Sequence, residues 1–277
     1  MELRVVRGRD ENCLQRRVGI RSLLVIVPLW FLCFLSPFVY SPVLAGNEAN
    51  IYQEGSSNEA YIRQSGQGNQ ADLAQYGEGN ILDLAQDGDL NVANEIVQSG
   101  SGNYADIDQL GDRSAVALRQ RGTSNSAEIV QQDRSVVDLV QSGEGNNAII
   151  TQNGSLNDAT LGQYGNNNDV SLYQYGTAEL GGNTVDLVQD GGGNKADVSQ
   201  CGSGNMAELA QRGNDNKMTL YQNGDANSFT STQNGNGNAL ELNQAGLNNV
   251  LTWNQIGNGH TVKLEQTGGI WVILTTE

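Results

Sequence analysis

Proline is almost missing from this sequence. The chain has 277 residues and only 3 prolines, and all of them (Pro28, Pro37 and Pro42) lie among the first 45 residues. The 232 residues that follow contain none. Because proline has no N–H to donate and is kept out of sheet interiors, so long a proline-free stretch is typical of extended, uninterrupted β ladders or of an unusual coil.

Cysteine and histidine are scarce as well, with 3 and 1 residues respectively. Two of the cysteines lie in the first 45 residues, so Cys201 is the only one in the remainder. One cysteine cannot form an internal disulfide, and one thiol with one histidine nearly excludes a metal site of the His/Cys kind. We therefore expect neither a metal nor a cofactor.

Basic residues are few: 15 Lys and Arg stand against 31 Asp and Glu, for a net charge of −16. Beyond residue 45 the counts are 9 and 28, which gives −19. A surface of this charge repels the phosphates of nucleic acids and anionic lipid headgroups. Nucleic acid is therefore not an expected partner.

The first 45 residues have the pattern of a secretory signal peptide. Three arginines between residues 16 and 21 precede an apolar run over residues 23–40, and small residues follow at Val43 and Ala45. This pattern predicts cleavage after Ala45. The alternative is an uncleaved membrane anchor, because the run is about as long as a minimal span. Two prolines inside the run and the well-formed cleavage site favour cleavage, and both alternatives imply export.

A single repeat fills the rest of the chain. Of the 19 spacings between successive repeat glutamines, 16 are eleven residues. Glycine stands two positions after the glutamine in 19 of 20 units, asparagine stands three further on in 15, and apolar residues stand four and two positions before it. The repeat glutamines are Gln53, Gln64, Gln75, Gln86, Gln98, Gln109, Gln120, Gln131, Gln141, Gln152, Gln163, Gln174, Gln189, Gln200, Gln211, Gln222, Gln233, Gln244, Gln255 and Gln266.

The spacing within each unit predicts a strand and a turn. In Asn-x-apolar-x-apolar-x-Gln all the named residues fall on alternate positions, and therefore on one face of a seven-residue strand. The remaining four residues include a glycine and are long enough to reverse the chain. Two units make one rung of 22 residues, and stacked rungs make an all-β, two-sheet parallel β-solenoid over residues 46–268. Twenty units give about ten rungs and a rod on the order of 48 Å long.

Buried amides are costly unless they have partners, but identical amides stacked from rung to rung satisfy one another. The sequence therefore predicts axial ladders of glutamine and asparagine in the core. Three irregular spacings predict bulged or looped-out turns: one extra residue at Leu90–Glu95, one missing at Gln131–Ser135, and four extra at Thr177–Gly181.

Two segments, Asn50-Ile-Tyr-Gln-Glu-Gly-Ser-Ser-Asn-Glu-Ala60 and Ala71-Asp-Leu-Ala-Gln-Tyr-Gly-Glu-Gly-Asn80, resemble the curlin repeat of curli, the secreted amyloid fibres of bacterial biofilms. The resemblance covers residues 49–268. It implies an extracellular structural subunit at the cell surface, not an enzyme, that polymerises with itself and a second curlin subunit. It also implies an outer-membrane secretion channel and accessory factors, and no small-molecule substrate. The chain departs from familiar subunits in having about ten rungs instead of five and no glycine-rich sorting segment before the repeats, which leaves major subunit and nucleator both open.

The resemblance also implies which residues assemble. The self-assembly ladder residues are Gln64, Gln75, Gln86, Gln109, Gln152, Gln200, Gln211, Gln222, Gln244, Asn58, Asn69, Asn80, Asn103, Asn146, Asn205 and Asn249. The expected turn residues are Gly66, Gly77, Gly111, Gly202 and Gly213.

Other interpretations compete with a fibre subunit. A chain rich in Asn, Gln and Gly can be disordered, although disorder gives no reason for a strict period. A monomeric solenoid that binds ions or ice would need a regular outward row of Thr or Asp, and a β-helix hydrolase would need one singular cluster of carboxylates. The apolar residues 269–277 are either a strand that caps the last rung or a tether to a partner or the cell surface.

Overall fold

The structure is a computed structural model of the chain. It describes residues 46–176 and 181–268, and the backbone alone of residues 2–6, 18–21 and 271–276. The predicted apolar run, the cleavage site after Ala45 and most of the four-residue insertion lie outside these residues. Cleavage of a signal peptide therefore stays a prediction. No helix in the described ranges has the length and apolar character needed to cross a bilayer.

The described secondary structure is entirely β. In chain order the strands are β1 (Glu2–Val6), β2 (Val18–Arg21), β3 (Glu48–Ser56), β4 (Glu59–Ser65), β5 (Gln70–Glu78), β6 (Ile81–Asp87), β7 (Val92–Ser101), β8 (Tyr104–Leu110), β9 (Ala115–Thr123), β10 (Ser126–Gln132), β11 (Val136–Glu144), β12 (Asn147–Gly154), β13 (Asp158–Asn166), β14 (Asp169–Gly176), β15 (Thr184–Gly192), β16 (Lys195–Cys201), β17 (Met206–Arg212), β18 (Lys217–Asn223), β19 (Ser228–Asn234), β20 (Ala239–Ala245), β21 (Val250–Ile256), β22 (Thr261–Thr267) and β23 (Trp271–Thr276).

The strands form two sheets that take alternate strands of the chain. Sheet A has the order β1-β4-β6-β8-β10-β12-β14-β16-β18-β20-β22, and sheet B has the order β2-β3-β5-β7-β9-β11-β13-β15-β17-β19-β21-β23. All neighbours from β3 onward are parallel, whereas β1 and β2 pair antiparallel with β4 and β3. The predicted two-sheet parallel solenoid of about ten rungs is confirmed.

Strands β3 to β21 bury alternate residues, as the repeat predicts, apart from the bulge in β7. In β17, Ala207, Leu209 and Gln211 are buried, whereas Met206 and Glu208 are exposed. The strand bounds differ slightly from the prediction, because each strand begins one residue after the repeat asparagine. The asparagine itself is buried in the turn, where its side chain bonds to backbone groups of the reversal instead of continuing the strand.

The core is a thin, continuous layer between the two sheets. Four positions before each glutamine stands mainly Ala or Val, and two positions before it stands mainly Leu or Ile; Ala105 with Ile107 and Ala148 with Ile150 are examples, all fully buried. Because each residue stacks on its counterpart 22 residues away, as Leu187 does on Leu209, the apolar contact runs the length of the described rungs. Burial of one such large side chain contributes about 1.5–3 kcal/mol.

The turn glycines are required by sterics between rungs as well as by backbone conformation. Gly213 has a φ of +108°, and a Cβ built on it would lie 2.1 Å from the carbonyl oxygen of Gly235 in the next rung. Gly66, Gly77 and Gly202 also have a positive φ, and a Cβ on any of them would lie 2.0–2.1 Å from the glycine carbonyl oxygen of the next rung. Gly111 has a positive φ as well, but its Cβ would lie 2.1 Å from the side-chain Oδ1 of Asp133, because the next unit lacks the glycine. Most turn glycines are therefore positions where backbone stacks directly on backbone.

The irregular spacings are absorbed outside the ladder positions. The extra residue, which the spacing placed in a turn, lies instead within strand β7 as a bulge between Ala93 and Ile96, where the register with both neighbouring strands shifts. The shortened unit makes a tight turn at Asp133 and Arg134. Of the four-residue insertion, only its end near Gly181 is described, and β15 then starts in register with β13.

Two glycine substitutions test the steric role of the turns. We expect Gly213→Ala to destabilise the fold by more than Gly237→Ala, although both change a positive-φ glycine to alanine. Gly237 has a φ of +65° and nothing within 4 Å of its built Cβ, so its cost is the backbone strain of about 1–3 kcal/mol. Gly213 adds a clash with the next rung. Denaturant unfolding of freshly prepared monomer measures the difference, and equal losses would contradict the stacking argument.

Candidate self-assembly site: the amide ladders

The repeat glutamines form one ladder in each sheet. The Nε2 of each glutamine donates to the Oε1 of the glutamine in the next rung, and examples are Gln64 to Gln86 at 2.8 Å, Gln200 to Gln222 at 2.7 Å and Gln211 to Gln233 at 3.0 Å. The ladder passes through the insertion between β13 and β15, where Gln163 donates to Gln189 at 3.1 Å over 26 residues. The hydrogen bonds therefore join glutamines of neighbouring rungs even where the number of residues between them changes.

The glutamine side chains also tie the two sheets together. Gln211 lies in sheet B, and its Nε2 donates to the backbone oxygen of Lys195 in sheet A at 3.1 Å. The same contact recurs in most rungs, for example from Gln222 to Met206 at 3.1 Å. Because an amide nitrogen has two hydrogens, one donates along the axis and one across the core. Both donors of a fully buried amide are therefore satisfied.

The asparagines form ladders of the opposite direction. The Oδ1 of Asn80 accepts the backbone N–H and the Nδ2 of Asn103 at 3.1 and 2.9 Å, so the donor lies in the later rung. Asn80 Nδ2 donates in turn to Asn58 Oδ1 at 3.1 Å and to the carbonyl of Gly100 at 3.1 Å. The asparagine therefore joins three things at the turn: the rung before it, the rung after it, and the stacked glycine backbone.

The structure brings the sequence-predicted ladder residues into these columns. Gln64, Gln86 and Gln109 bond in succession in sheet A, as do Gln200, Gln222 and Gln244, and Asn58, Asn80 and Asn103 bond in succession at one row of turns. Gln75, Gln152, Gln211, Asn69, Asn146, Asn205 and Asn249 bond to the equivalent residues of their own neighbouring rungs. All sixteen are at most 1% exposed, which leaves no solvent to replace a lost partner.

The two asparagine ladders are not equally continuous. The ladder that starts at Asn58 reaches Asn238 and ends at His260, whose backbone N–H donates to Asn238 Oδ1 at 3.1 Å. The other ladder has serine at two successive asparagine positions, Ser114 and Ser135. The backbone N–H of Ser114 still donates to Asn91 Oδ1 at 2.9 Å, but the serine has no amide to continue the row.

A third set of side chains, which the sequence analysis missed, stacks on the outside of the turns. An Asp or Asn near the turn glycine accepts the backbone N–H of its counterpart in the preceding rung: Asp89 N–H donates to Asp112 at 2.8 Å, and Asn214 N–H donates to Asn236 at 2.8 Å. We call this set the turn ladder; its acceptors are Asp89, Asp112, Asp133, Asn166, Asn214, Asp225, Asn236 and Asn258. The recurrence of Asp and Asn one residue after the glycine is the signal that could have predicted it.

Carboxylates stack in register on the outer face of sheet A. Asp83 in β6 faces Asp106 in β8, which faces Glu128 in β10. We call these three residues the acidic column. Partial burial raises the pKa of the Asp83 carboxyl above its usual 3.8, the charge of Asp106 raises it further, and Arg63 opposes the shift. Burial and Asp106 likewise raise the pKa of Asp108.

One ion pair elsewhere on the outer face of sheet A has the opposite effect on a carboxyl pKa. Lys195 Nζ donates to Asp169 Oδ2 at 2.9 Å, and Asn147 donates to the same carboxylate. Partial burial raises the pKa of Asp169, but these two hydrogen bonds and the charge of Lys195 lower it below its usual value. Among the described residues, no three His, Cys, Asp or Glu side chains converge as a metal site. In the described chain, the side-chain interaction that recurs in every part of the fold is hydrogen bonding along the solenoid axis.

This fold defines a class of repeat protein. It is a parallel β-solenoid whose stacked rungs have equivalent structures, with ladders of buried amides along the axis. The Curlin associated repeat matches this chain at residues 45–77, 133–165, 182–213 and 213–246. These four detected repeats support a curlin-repeat family protein. Curated proteins yield no match. The curlin family is one of structural amyloid subunits whose members are extracellular fibre components.

Substitutions in β17 and the turn before it separate the ladders from the outer face. Gln211→Ala and Asn205→Ala each remove one member of a buried ladder and leave neighbouring amides unsatisfied, so we expect each to cost about 1–3 kcal/mol of unfolding free energy. The matched controls Glu208→Ser and Ala210→Ser lie on the exposed and half-buried outer face and should cost far less. Denaturant unfolding measures the free energy lost in both sets of variants. Similar losses in the two sets would show that the inward amides do not stabilise the stacking of the rungs.

The acidic column predicts stability that rises as pH falls. Asp83 in the column, and Asp108, whose pKa is raised by burial and by the charge of Asp106 in the column, have folded pKa values above those of the unfolded chain, so protonation favours the folded state. The gain begins as pH falls through the raised folded pKa and is complete below the unfolded value of about 3.8–3.9. We expect the combined change of Asp83→Asn, Asp106→Asn and Glu128→Gln to flatten the stability profile between neutral and mildly acidic pH.

The control for this variant removes the same number of carboxylates where none faces another. Glu54, Glu144 and Asp190 are in register with Tyr, Thr, Asn or Arg residues of the neighbouring strands. Their joint change to amides should leave the slope of stability against pH near that of the parent chain. A column variant with an unchanged slope would show that stacked carboxylates do not govern the pH response.

Proposed function

We propose that this chain is a secreted, self-assembling structural subunit of an extracellular curli-like amyloid fibre, acting in cell adhesion and in a biofilm matrix, and that it is not an enzyme. The observation that carries the proposal is the polarity of the ladders. Along the glutamine ladders each side chain donates to the glutamine of the rung that follows, whereas along the asparagine ladders the bond runs to the asparagine of the rung that precedes. The two ends of a stack of such repeats are therefore complementary in hydrogen-bond direction, so one copy can continue the ladders of another.

Polarity selects one arrangement of two copies. When a second copy adds head to tail, its Gln64 continues the column that ends at Gln266, with donor facing acceptor as within the chain. Head-to-head addition would bring donor against donor in one ladder and acceptor against acceptor in the other, and the buried amides would then lack partners. Open strand edges at the ends of a solenoid are templates for further pairing. The expected product is a polar, parallel cross-β fibre.

The predicted signal peptide fits this scheme. Strands β1 and β2 both lie before residue 45, and they pair antiparallel with β4 and β3 at the amino-terminal end of the stack. Cleavage after Ala45 would remove both strands together and leave the edges of the first rung open to another copy. The proposed mature protein therefore starts at Gly46, directly before the first repeat.

The proposed partners follow from the family and the fold. The principal partner is a further copy of this chain, and a second curlin subunit would join the same fibre through the same ladders. Export would need an outer-membrane secretion channel and accessory factors. The outward columns of sheet B mix acidic and hydroxyl residues, as in Asp186, Glu208 and Thr230, and this mixture favours a fibre over a monomer with a regular ion- or ice-binding row.

Purified residues 46–277 test the proposal. Incubated near neutral pH, they should form unbranched fibres that bind amyloid dyes, are visible by electron microscopy, and diffract at about 4.7–4.8 Å and about 10 Å. Preformed fragments should shorten the lag. Leu209→Lys, which buries a charge between the sheets, should abolish assembly, whereas the neighbouring outward change Glu208→Lys should permit it. A parent chain that stays folded, monomeric and dye-negative would overturn the proposal.

A further inference from the structure

The two sheets end at different heights at the carboxyl-terminal end. From β3 onward, sheet A contains ten parallel strands, of which β22 is the last. Sheet B contains eleven, because β23 follows β21 after the last repeat. The described chain therefore ends on half a rung: β23 adds one strand to sheet B and none to sheet A.

β23 completes the backbone pairing of sheet B with a different sequence. It is parallel to β21, with Leu251 opposite Val272, Trp253 opposite Leu274, and Gln255 opposite Thr276. The glutamine position of the strand is thus held by a threonine, which has no amide. Gln255 is the last member of its column, and its Nε2 donates to the backbone oxygen of His260 at 2.9 Å.

A second copy that adds head to tail, with each of its sheets continuing the same sheet of the first copy, needs the place that β23 holds. In every rung the strand of sheet B precedes the strand of sheet A along the chain. A copy that places its β4 on β22 must therefore place its β3 on β21, where β23 is. A copy that places its β3 on β23 instead leaves its β4 two strand spacings, about 10 Å, from β22, and sheet A is interrupted.

On the basis of the proposed fibre function, we propose that β23 is a displaceable cap that occupies the site of strand β3 of the next subunit, so that each addition exchanges β23 for β3. The exchange is favoured by the ladders. In the register of sheet B, β3 sets Ala49, Ile51 and Gln53 opposite Leu251, Trp253 and Gln255, as it does within the chain against β5. Gln53 then supplies the amide that Thr276 lacks.

The exchange also equalises the two sheets. After β23 leaves, each subunit contributes ten strands to sheet A and ten to sheet B, and both sheets pass through the junction without a gap. Until it leaves, the place of β3 on β21 is occupied, and a copy that pairs its β3 with the outer edge of β23 leaves sheet A interrupted. The cap therefore slows association of free subunits and gives way only to a partner that carries the repeat sequence.

A reversible covalent lock tests the exchange. Thr252 and Ile273 are opposite residues of β21 and β23, so Thr252→Cys with Ile273→Cys is within reach of a disulfide in a Cys201→Ser background of residues 46–277. The matched control joins Thr230→Cys to Thr252→Cys, one strand spacing away on the same column, and leaves β23 unbound. Mass spectrometry establishes that each disulfide has formed, and failure of the first to form would contradict the pairing of β23 with β21.

Elongation is then measured on fibre fragments of the parent chain, by dye fluorescence and sedimentation. The oxidised cap lock should reduce elongation by roughly an order of magnitude or more, because a locked subunit that adds to an end cannot accept the next one. Reduction should restore the parent rate, and the oxidised control should elongate like the parent. Removal of residues 269–277 should speed elongation.

The outcomes separate this inference from the proposed function. If the oxidised cap lock elongates as fast as the oxidised control while the parent forms fibres, the cap inference is wrong and the fibre proposal stands. If truncation after Gly268 slows elongation, β23 is part of the junction and not a cap. If the parent chain forms no fibres, both proposals fall.

Discussion

The structure depends on one constraint: an amide buried in a thin core must find its hydrogen-bond partners along the axis. Glutamine and asparagine side chains are fully buried in every rung between β4 and β21, where water is not available to satisfy them. An unsatisfied buried amide costs about 1–3 kcal/mol, so each one fixes the height and register of its neighbours. Strand length, turn length and the 22-residue rung all follow from keeping these amides opposite one another.

The irregular units show how strongly the constraint acts. The extra residue of β7 becomes a bulge on the outer side of the ladder, where Glu95 contacts Arg119 of the next strand. The insertion before β15 lengthens the chain between two ladder partners to 26 residues, yet the Gln163 to Gln189 bond remains 3.1 Å long. The serines at Ser114 and Ser135 break one asparagine ladder, and the glutamine ladders beside them continue. The chain adapts at the β7 bulge and in the turns, and the glutamine ladders along the axis stay continuous.

Much of this architecture was predictable from the sequence, because the period of a repeat and the period of a strand are both visible in it. The spacing of Gln, Gly and Asn predicted the sheets, the rungs and the inward residues such as Leu209. Other features depend on contacts between rungs, which no spacing displays. The clash that forbids a side chain at Gly213 comes from Gly235, the opposite directions of the two ladders come from amide orientation, and the height difference between the sheets comes from the pairing of β23. The turn ladder could have been predicted from the sequence, and it was missed because its residues are polar and exposed.

The same constraint connects fold and function, since polar ladders that satisfy each rung internally leave complementary chemistry at the two ends of the stack. A high-resolution electron cryo-microscopy map of the assembled fibre tests this account most directly. We predict that both sheets run continuously through the subunit junction, with β22 followed by β4 of the next copy, parallel strands throughout, and the Gln266 column continued by Gln64. A junction with antiparallel strands, offset columns or a gap in sheet A would contradict the claim that the amide ladders join one subunit to the next.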